Sequence, residues 1–130
     1  MLVNLEVYVM AEIPSNVVLA EKFAKIFDGF SIGSNDLTQL TLWIDSDSAI
    51  ISDLFNDQNE TGKEMIASMI SKAKDGGVNI GLCGQGPSDF PEFAKFLVEQ
   101  GIDSISFNPD ALLKRMENIS QAESHLLVKT

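Results

Sequence analysis

Short apolar runs alternate with amphipathic segments along most of the chain. The apolar runs predict four strands, at residues 5–13, 30–32, 78–83 and 103–107. Apolar residues at helical spacing predict helices over residues 15–27, 35–44, 60–74, 91–100 and 110–123. Consecutive β/α units pair in parallel through right-handed crossovers. The pattern therefore predicts an α/β fold of four parallel β/α units.

Length and composition agree with one domain over residues 1–130. A chain of 130 residues fits a single hydrophobic core. With 45% apolar and 22% charged residues, it is too apolar for a disordered protein. Residues 124–130 are predicted to fray as a tail. A complete (β/α)8 barrel takes about 250 residues, so this chain could hold only about half of one.

The charge and the apolar runs argue against several classes of function. Nine Lys and Arg against 19 Asp and Glu give a net charge of −10, which repels nucleic-acid phosphates. No apolar run approaches the roughly 18 residues of a membrane helix. The first ten residues carry no basic segment of a signal peptide, and a single cysteine cannot form an internal disulfide. We therefore expect a cytoplasmic protein.

Acidic residues stand at the ends of two predicted strands, where parallel α/β folds bind ligands. Glu12 ends the first strand and Asp36 follows the second. Two hard oxygen donors at neighbouring strand ends suit Mg²⁺, which usually takes one or two carboxylates. Glu12 could equally be a solvated or ion-paired carboxylate, and Ser34, Asn35 and Asp36 could simply begin a helix. The pattern alone leaves these interpretations open.

The single cysteine, Cys83, ends the third predicted strand beside Gly84. Lone cysteines usually act as small buried hydrophobic residues. At a strand end facing a polar loop, a thiol could instead be a nucleophile or a general acid/base. The only histidine, His125, lies in the tail, which argues against a Cys–His pair. Proton transfer fits this thiol better than nucleophilic attack.

The strand-end motifs resemble the phosphoenolpyruvate (PEP)-utilising enzymes. The motifs are EIPSN at residues 12–16, FSIGSNDLTQ at 30–39 and GLCGQGPSD at 81–89. That superfamily includes PEP synthase (pyruvate, water dikinase), pyruvate, phosphate dikinase and enzyme I of the sugar phosphotransferase system. The CGQGPSD loop is most similar to the synthase branch, as are GIDSIS at 101–106 and NPD at 108–110. The resemblance covers nearly the whole chain, with the motifs in the expected order.

The resemblance implies a fold and a role for each motif. The chain would be the C-terminal half of a (β/α)8 TIM barrel that binds pyruvate or PEP at the carboxyl ends of its strands. Glu12 and Asp36 would be Mg²⁺ ligands, and Asn35 would contact the substrate carboxylate or phosphate. Ser34 and Gln85 would be further polar contacts. Cys83 would exchange a proton with the methyl or methylene carbon, and Mg²⁺ would stabilise the enolate charge.

The sequence also departs from the family's pattern. Ser46 and Gln58 stand where relatives usually carry arginine, and Phe90 stands where histidine is frequent. The family's phosphate-gripping arginines, phosphorylated histidine and ATP-binding region belong to earlier strands and domains. We therefore expect the 130 residues alone to be inactive in the full reaction.

The chain could also have a different function from that of a PEP synthase, and a half barrel would have open edges. The chain could belong to enzyme I or to pyruvate, phosphate dikinase, or it could be a non-catalytic remnant that binds a ligand or assembles with a partner. A half barrel leaves its two outer strands open for pairing. We therefore expect self-association of the chain, in addition to contacts with the missing domains.

Overall fold

The computed structural model describes residues 4–43 and 59–129. The strands are β1 (Tyr8–Ala11), β2 (Gly29–Gly33), β3 (Asn79–Cys83) and β4 (Ser104–Ile105). They form one sheet in the order β1-β2-β3-β4, and every neighbouring pair is parallel. The predicted α/β fold with four parallel strands is confirmed.

Seven helices are found within the described residues. They are α1 (Pro14–Val18), α2 (Ala20–Phe23), α3 (Ser34–Leu42), α4 (Glu60–Asp75), α5 (Gly86–Asp89), α6 (Pro91–Gln100) and α7 (Pro109–Lys129). Local chemistry sets the ends of the longer ones. The Asn59 side chain accepts the N–H groups of Thr61 and Gly62 at the start of α4. Pro91 begins α6, and Gly101 ends it with a left-handed backbone.

The helix predicted over residues 15–27 is broken in two. Leu19 leaves the helical region between α1 and α2, with φ −103° and ψ 17°. The ammonium group of Lys72 donates a hydrogen bond of 2.8 Å to the Val17 carbonyl beside this break. Val18 and Ile26, two of the apolar residues at helical spacing in the segment 15–27, are 70% and 75% exposed.

Two further segments differ from the sequence prediction. The loop predicted at residues 84–88 contains the single helical turn α5. The last helix, predicted to end at residue 123, continues through residues 124–129, which were predicted to be a frayed tail. This segment contains no glycine or proline to end a helix. The polar segment between α3 and α4 lies almost entirely outside the described residues.

The helices cover one face of the sheet. Phe30, Ile32, Ile80 and Leu82 project from β2 and β3 into a core completed by residues of α1, α2, α3, α4 and α6. Side chains alternate along a strand, so the other face carries the intervening residues. On β2 and β3 these are small or polar, namely Gly29, Ser31, Gly33, Asn79, Gly81 and Cys83, whereas β1 contributes Tyr8 and Met10. Among the described helices, none is long and apolar enough to cross a membrane.

Candidate active site

A shallow cleft of about 160 Å³ lies where β2 and β3 end. It is lined by Met10, Gly33, Ser34, Asn35, Asp36, Cys83 and Gly84. Gly33 and Cys83 are partners in the parallel register, so the residues that follow β2 lie beside those that follow β3. The fold therefore brings together four of the six predicted site residues: Ser34, Asn35, Asp36 and Cys83.

Glu12 lies next to this cleft, at the end of β1. One of its carboxylate oxygens is 3.6 Å from the position that a Cβ on Gly33 would occupy. The turn that carries Glu12 is fixed by Asn16, a buried residue whose side-chain oxygen accepts the backbone N–H groups of Glu12 and Ile13 at 3.3 and 3.2 Å. The sequence EIPSN therefore holds an acidic side chain at the rim of the cleft.

Asn35 and Asp36 occupy the first turn of α3, and both are exposed to solvent. The first N–H groups of a helix have no partner within the helix, and its dipole favours negative charge there. The start of α3 therefore adds donors to a cleft that has Asp36 in its lining and Glu12 next to it.

Ser34 is fully buried, and its hydroxyl has no hydrogen-bond partner among the described residues. A Cβ on Gly84 would lie 2.8 Å from the Ser34 Oγ. Gly84 also has φ +148°, a backbone conformation that residues with a side chain rarely adopt. Glycine at this position lets the loop after β3 approach Ser34 closely.

Cys83 is partly buried at the cleft, and its thiol donates a long hydrogen bond of 3.5 Å to the Ile32 carbonyl. His125 is remote from the cleft, on an exposed part of α7, with its Nδ1 2.8 Å from the Gln121 carbonyl oxygen. Within the described part of the chain, the structure therefore shows no Cys–His pair.

Gln85 does not line the cleft. It precedes the first residue of α5, is exposed, and its carbonyl oxygen accepts the N–H groups of Ser88 and Asp89 at 2.9 and 3.1 Å. Phe90 joins α5 to α6 and is 37% exposed. The other two departures from the family's pattern, Ser46 and Gln58, lie outside the described residues.

Sequence reasoning missed Arg115, which is buried on α7. Its Nε and one Nη donate to the Ser88 carbonyl at 2.9 and 2.8 Å. Ala111, Asn118 and Ala122 share its side of the helix at spacings of three or four residues. A long cationic side chain on a helix side formed by small residues was the signal that could have identified it.

A larger groove of about 430 Å³ lies at the open edge of the sheet, between β4, α6 and α7. Its lining is mostly apolar and includes Ile102, Ile105, Phe107, Leu112 and Met116. Binding sites combine a concave shape with a few convergent polar groups. The smaller cleft has those groups and lies at the strand ends, so it is the better candidate for the active site.

The described residues contain no group of three or more His, Cys, Asp or Glu side chains suited to a metal ion. Glu12 and Asp36 at the cleft are a smaller donor set. Two carboxylates still fit Mg²⁺, because this ion completes its coordination with water and substrate oxygens. Ser34, whose hydroxyl has no hydrogen-bond partner among the described residues, is a further polar residue of the cleft lining.

Comparison with known proteins decides the family. Residues 2–124 match the family described as "PEP-utilising enzyme, PEP-binding domain". The chain belongs to this family. It is 62% identical over 123 residues to a phosphoenolpyruvate synthase of Aquifex aeolicus (strain VF5), and 49% identical over 118 residues to that of Escherichia coli (strain K12). The resemblance to PEP synthases is confirmed.

The chain spans only part of the proteins that it matches. The alignments cover 95% and 91% of this chain but 14% and 15% of the two synthases. Among solved structures, those of citrate synthase SbnG and a variant of it are similar, with TM-scores of 0.56 and 0.55 at 16% identity. Those matches cover 46% and 50% of the other chain. At this identity they show a shared fold.

Proposed function

We propose that this chain is the pyruvate- and PEP-binding part of a PEP synthase, a phosphotransferase that makes PEP from pyruvate, ATP and water. The observation that carries the proposal is the cleft in which Ser34, Asn35, Asp36 and Cys83 meet at the strand ends. Membership of the PEP-binding family and the 62% identity to a PEP synthase support it. The Aquifex aeolicus and Escherichia coli relatives are both synthases, which favours this branch over enzyme I and pyruvate, phosphate dikinase.

We further propose that the four β/α units are the C-terminal half of a TIM barrel. All helices that contribute to the core lie on one face of the sheet, and the small and polar residues of the other face would line the barrel interior. Solved structures of similar fold are about twice as long as the matched region. The two outer strands, β1 and β4, would pair with the missing half.

Asn35 and Ser34 would bind the substrate. The N–H groups at the start of a helix suit a carboxylate or phosphate, and the Ser34 hydroxyl, which has no partner among the described residues, would add a donor. Glu12 and Asp36 would hold Mg²⁺, which when bound supplies the positive charge that an enolate needs. Gln85 would reach the substrate only if its exposed side chain turned toward the cleft.

Cys83 would move the proton. In the direction of PEP formation, its thiolate would take a proton from the methyl carbon of pyruvate, leaving a thiol and an enolate. In reverse, once the phosphoryl group of PEP had been transferred away, the thiol would return a proton to the methylene carbon of the enolate that remains, giving pyruvate. Its position at the end of β3, on the cleft, suits this role, and no described histidine is placed to turn it into a Cys–His nucleophile.

The 130 residues would not complete the reaction by themselves. Among the described residues, the cleft lining contains no Lys or Arg to grip a transferred phosphate, and the relatives are about seven times longer. We propose that the missing ATP-binding and phosphohistidine domains are the natural partners and that the setting is cytoplasmic. ATP and pyruvate added to the purified chain should yield no PEP, and ATP-dependent PEP formation would contradict this.

Without the missing half, the chain should self-associate through its open edges. Val7 and Tyr8 at the β1 edge are 49% and 42% exposed, and the apolar groove lies at the β4 edge. Light scattering at increasing protein concentration should show species larger than a monomer. A monomer at high concentration would refute the self-association.

Calorimetry with oxalate, a planar mimic of the enolate, tests the function itself. The wild-type chain should bind oxalate only when Mg²⁺ is present, because the cleft has acidic side chains and lacks basic ones. Asp36→Ala should abolish this binding, since it removes one of two carboxylates that hold the ion. Glu64→Gln, on the exposed side of α4, removes the same charge away from the cleft and should bind as wild type does.

The calorimetric result separates a binding domain from an inert remnant. Binding that needs Mg²⁺ and is lost only in Asp36→Ala supports the proposed function. A wild-type chain that is folded and binds no oxalate under any metal condition would favour the non-catalytic alternative. Equal loss in Asp36→Ala and Glu64→Gln would mean that net charge, not a site, governs the binding.

A further inference from the structure

Arg115 connects the last helix to the loop that follows β3. It is only 8% exposed, although the chain is strongly acidic and most of its charged residues are at the surface. Two of its guanidinium nitrogens donate to the same acceptor, the Ser88 carbonyl, at 2.9 and 2.8 Å. A third contact, at 3.5 Å, reaches the Asp89 carbonyl, and the other Nη donates to the Asn118 side chain at 3.1 Å.

The carbonyls that Arg115 contacts are at the end of α5. This helix is a single turn, which is too short to be stable by itself. Carbonyls at the end of a helix lack intrahelical donors and carry partial negative charge, so a buried cation stabilises them. Hydrogen bonds from Arg115, which belongs to α7, therefore stabilise a helical turn that is too short to be stable by itself.

Ser88 ties the same turn to a second element. Its hydroxyl oxygen accepts the backbone N–H of Asn108 at 2.8 Å, in the segment between β4 and α7. The loop after β3 is thus held through Ser88 by the loop after β4 and by the side of α7.

The other end of α5 leads directly into the cleft. Gly84 and Gln85 are the only residues between Cys83 and the first residue of α5. Gly84 already lies so close to Ser34 that a Cβ would be 2.8 Å from the serine oxygen. Because only two residues connect Cys83 to α5, a displacement of α5 would move Gly84 relative to Ser34. It would thereby change the surroundings of the Cys83 thiol.

We propose that Arg115 is a positioning residue of the active site, acting through Ser88 to hold the loop that follows Cys83. This inference rests on the proposed function for its consequence in ligand binding, but not for the structural coupling itself. Arginine suits the position because its planar fork places two N–H groups on one carbonyl, whereas lysine offers a compact ammonium group.

Cys83 is the only cysteine in the chain, so its alkylation by iodoacetamide reports on this loop without ambiguity. Arg115→Met keeps a long side chain but removes every donor. We expect Cys83 in this variant to be alkylated about tenfold faster than in the wild type, because local opening becomes easier. Arg115→Lys restores the charge but not the fork and should be intermediate. Lys114→Met, on the exposed neighbouring residue, is the matched control and should react at the wild-type rate.

Oxalate affinity in the presence of Mg²⁺ is measured on the same proteins. We expect Arg115→Met to weaken it by about tenfold while circular dichroism stays unchanged, since the loss is in loop placement rather than in the fold. A wild-type chain that binds no oxalate would refute the proposed function but leave the alkylation comparison valid. The two ideas therefore fail independently.

The alkylation rate decides the inference. A folded Arg115→Met variant with the wild-type rate would overturn it. If Arg115→Met does not fold, the alkylation rate of Cys83 is measured instead in Arg115→Lys and in Ser88→Ala. Ser88→Ala removes only the acceptor for the Asn108 N–H. Faster alkylation in a folded variant supports the inference, and wild-type rates in both would overturn it.

Discussion

The two faces of the sheet are built from alternate residues of the same strands, yet they differ in almost every property. On the helix-covered face, Phe30, Ile32, Ile80 and Leu82 are at most 2% exposed and form the centre of the core. On β2 and β3, the opposite face carries three glycines, Ser31, Asn79 and Cys83. The first face supplies the free energy of folding, and the second supplies space and polar groups where a ligand could bind.

Close approach explains the small residues of the second face. A Cβ on Gly29 would lie 2.6 Å from the Tyr8 ring and 2.8 Å from the Asn79 carbonyl oxygen. The Asn79 side-chain amide in turn donates to the Tyr8 hydroxyl at 3.1 Å, across Gly29 between them. Side chains from the outer strand therefore cover β2, and larger residues on β2 would collide with them.

The largest difference between the faces should be in stability. Phe30→Ala should lower the free energy of unfolding by about 3–5 kcal/mol, because it leaves a cavity in a closed core. Its neighbour on the strand, Ser31→Ala, should change that free energy by less than about 0.5 kcal/mol. Urea unfolding followed by circular dichroism measures both. Similar losses in the two variants would contradict the assignment of the faces.

A smaller contrast should appear within the second face. Gly29→Ala should cost about 1–3 kcal/mol, since the added methyl meets a backbone oxygen that cannot move aside. At Gly33 the methyl would meet the Glu12 Cβ at 3.2 Å, a milder contact that a shift of a few tenths of an ångström relieves, so we expect less than about 1 kcal/mol. Gly33→Ala should instead weaken oxalate binding by displacing the Glu12 carboxylate. Equal stability losses with unchanged binding would show that the strand end has no special role.

Much of the fold could be predicted because its signals are local. Pro91 and Gly101 mark both ends of α6, and the strand predicted at 78–83 differs from β3 by one residue. The break at Leu19 and the single turn of α5 could not be predicted, because each is stabilised by distant residues. Lys72 on α4 contacts the Val17 carbonyl beside the break at Leu19, and Arg115 on α7 contacts the end of α5.

The candidate site was predictable to a similar extent. Parallel strands end at the same edge of a sheet, so Asp36 and Cys83 could be expected to approach each other from the order of the strands alone. The position of Gln85 depends on how the short helix after it packs against α7, which no local pattern encodes. The small residues on its side of α7 mark Arg115 as buried, but its role follows from a contact between residues 27 positions apart, which the sequence alone does not indicate.

The small, polar face of the sheet should end in a ligand-binding cleft, and this is the central claim. Backbone amide chemical shifts of the ¹⁵N-labelled chain, recorded during titration with oxalate and Mg²⁺, test it most directly. We expect shifts at residues 33–36 and 83–85, with little change at Phe30 and Ile80 on the helix-covered face. Shifts confined to the apolar groove beside β4, or no shifts at all in a folded chain, would contradict it.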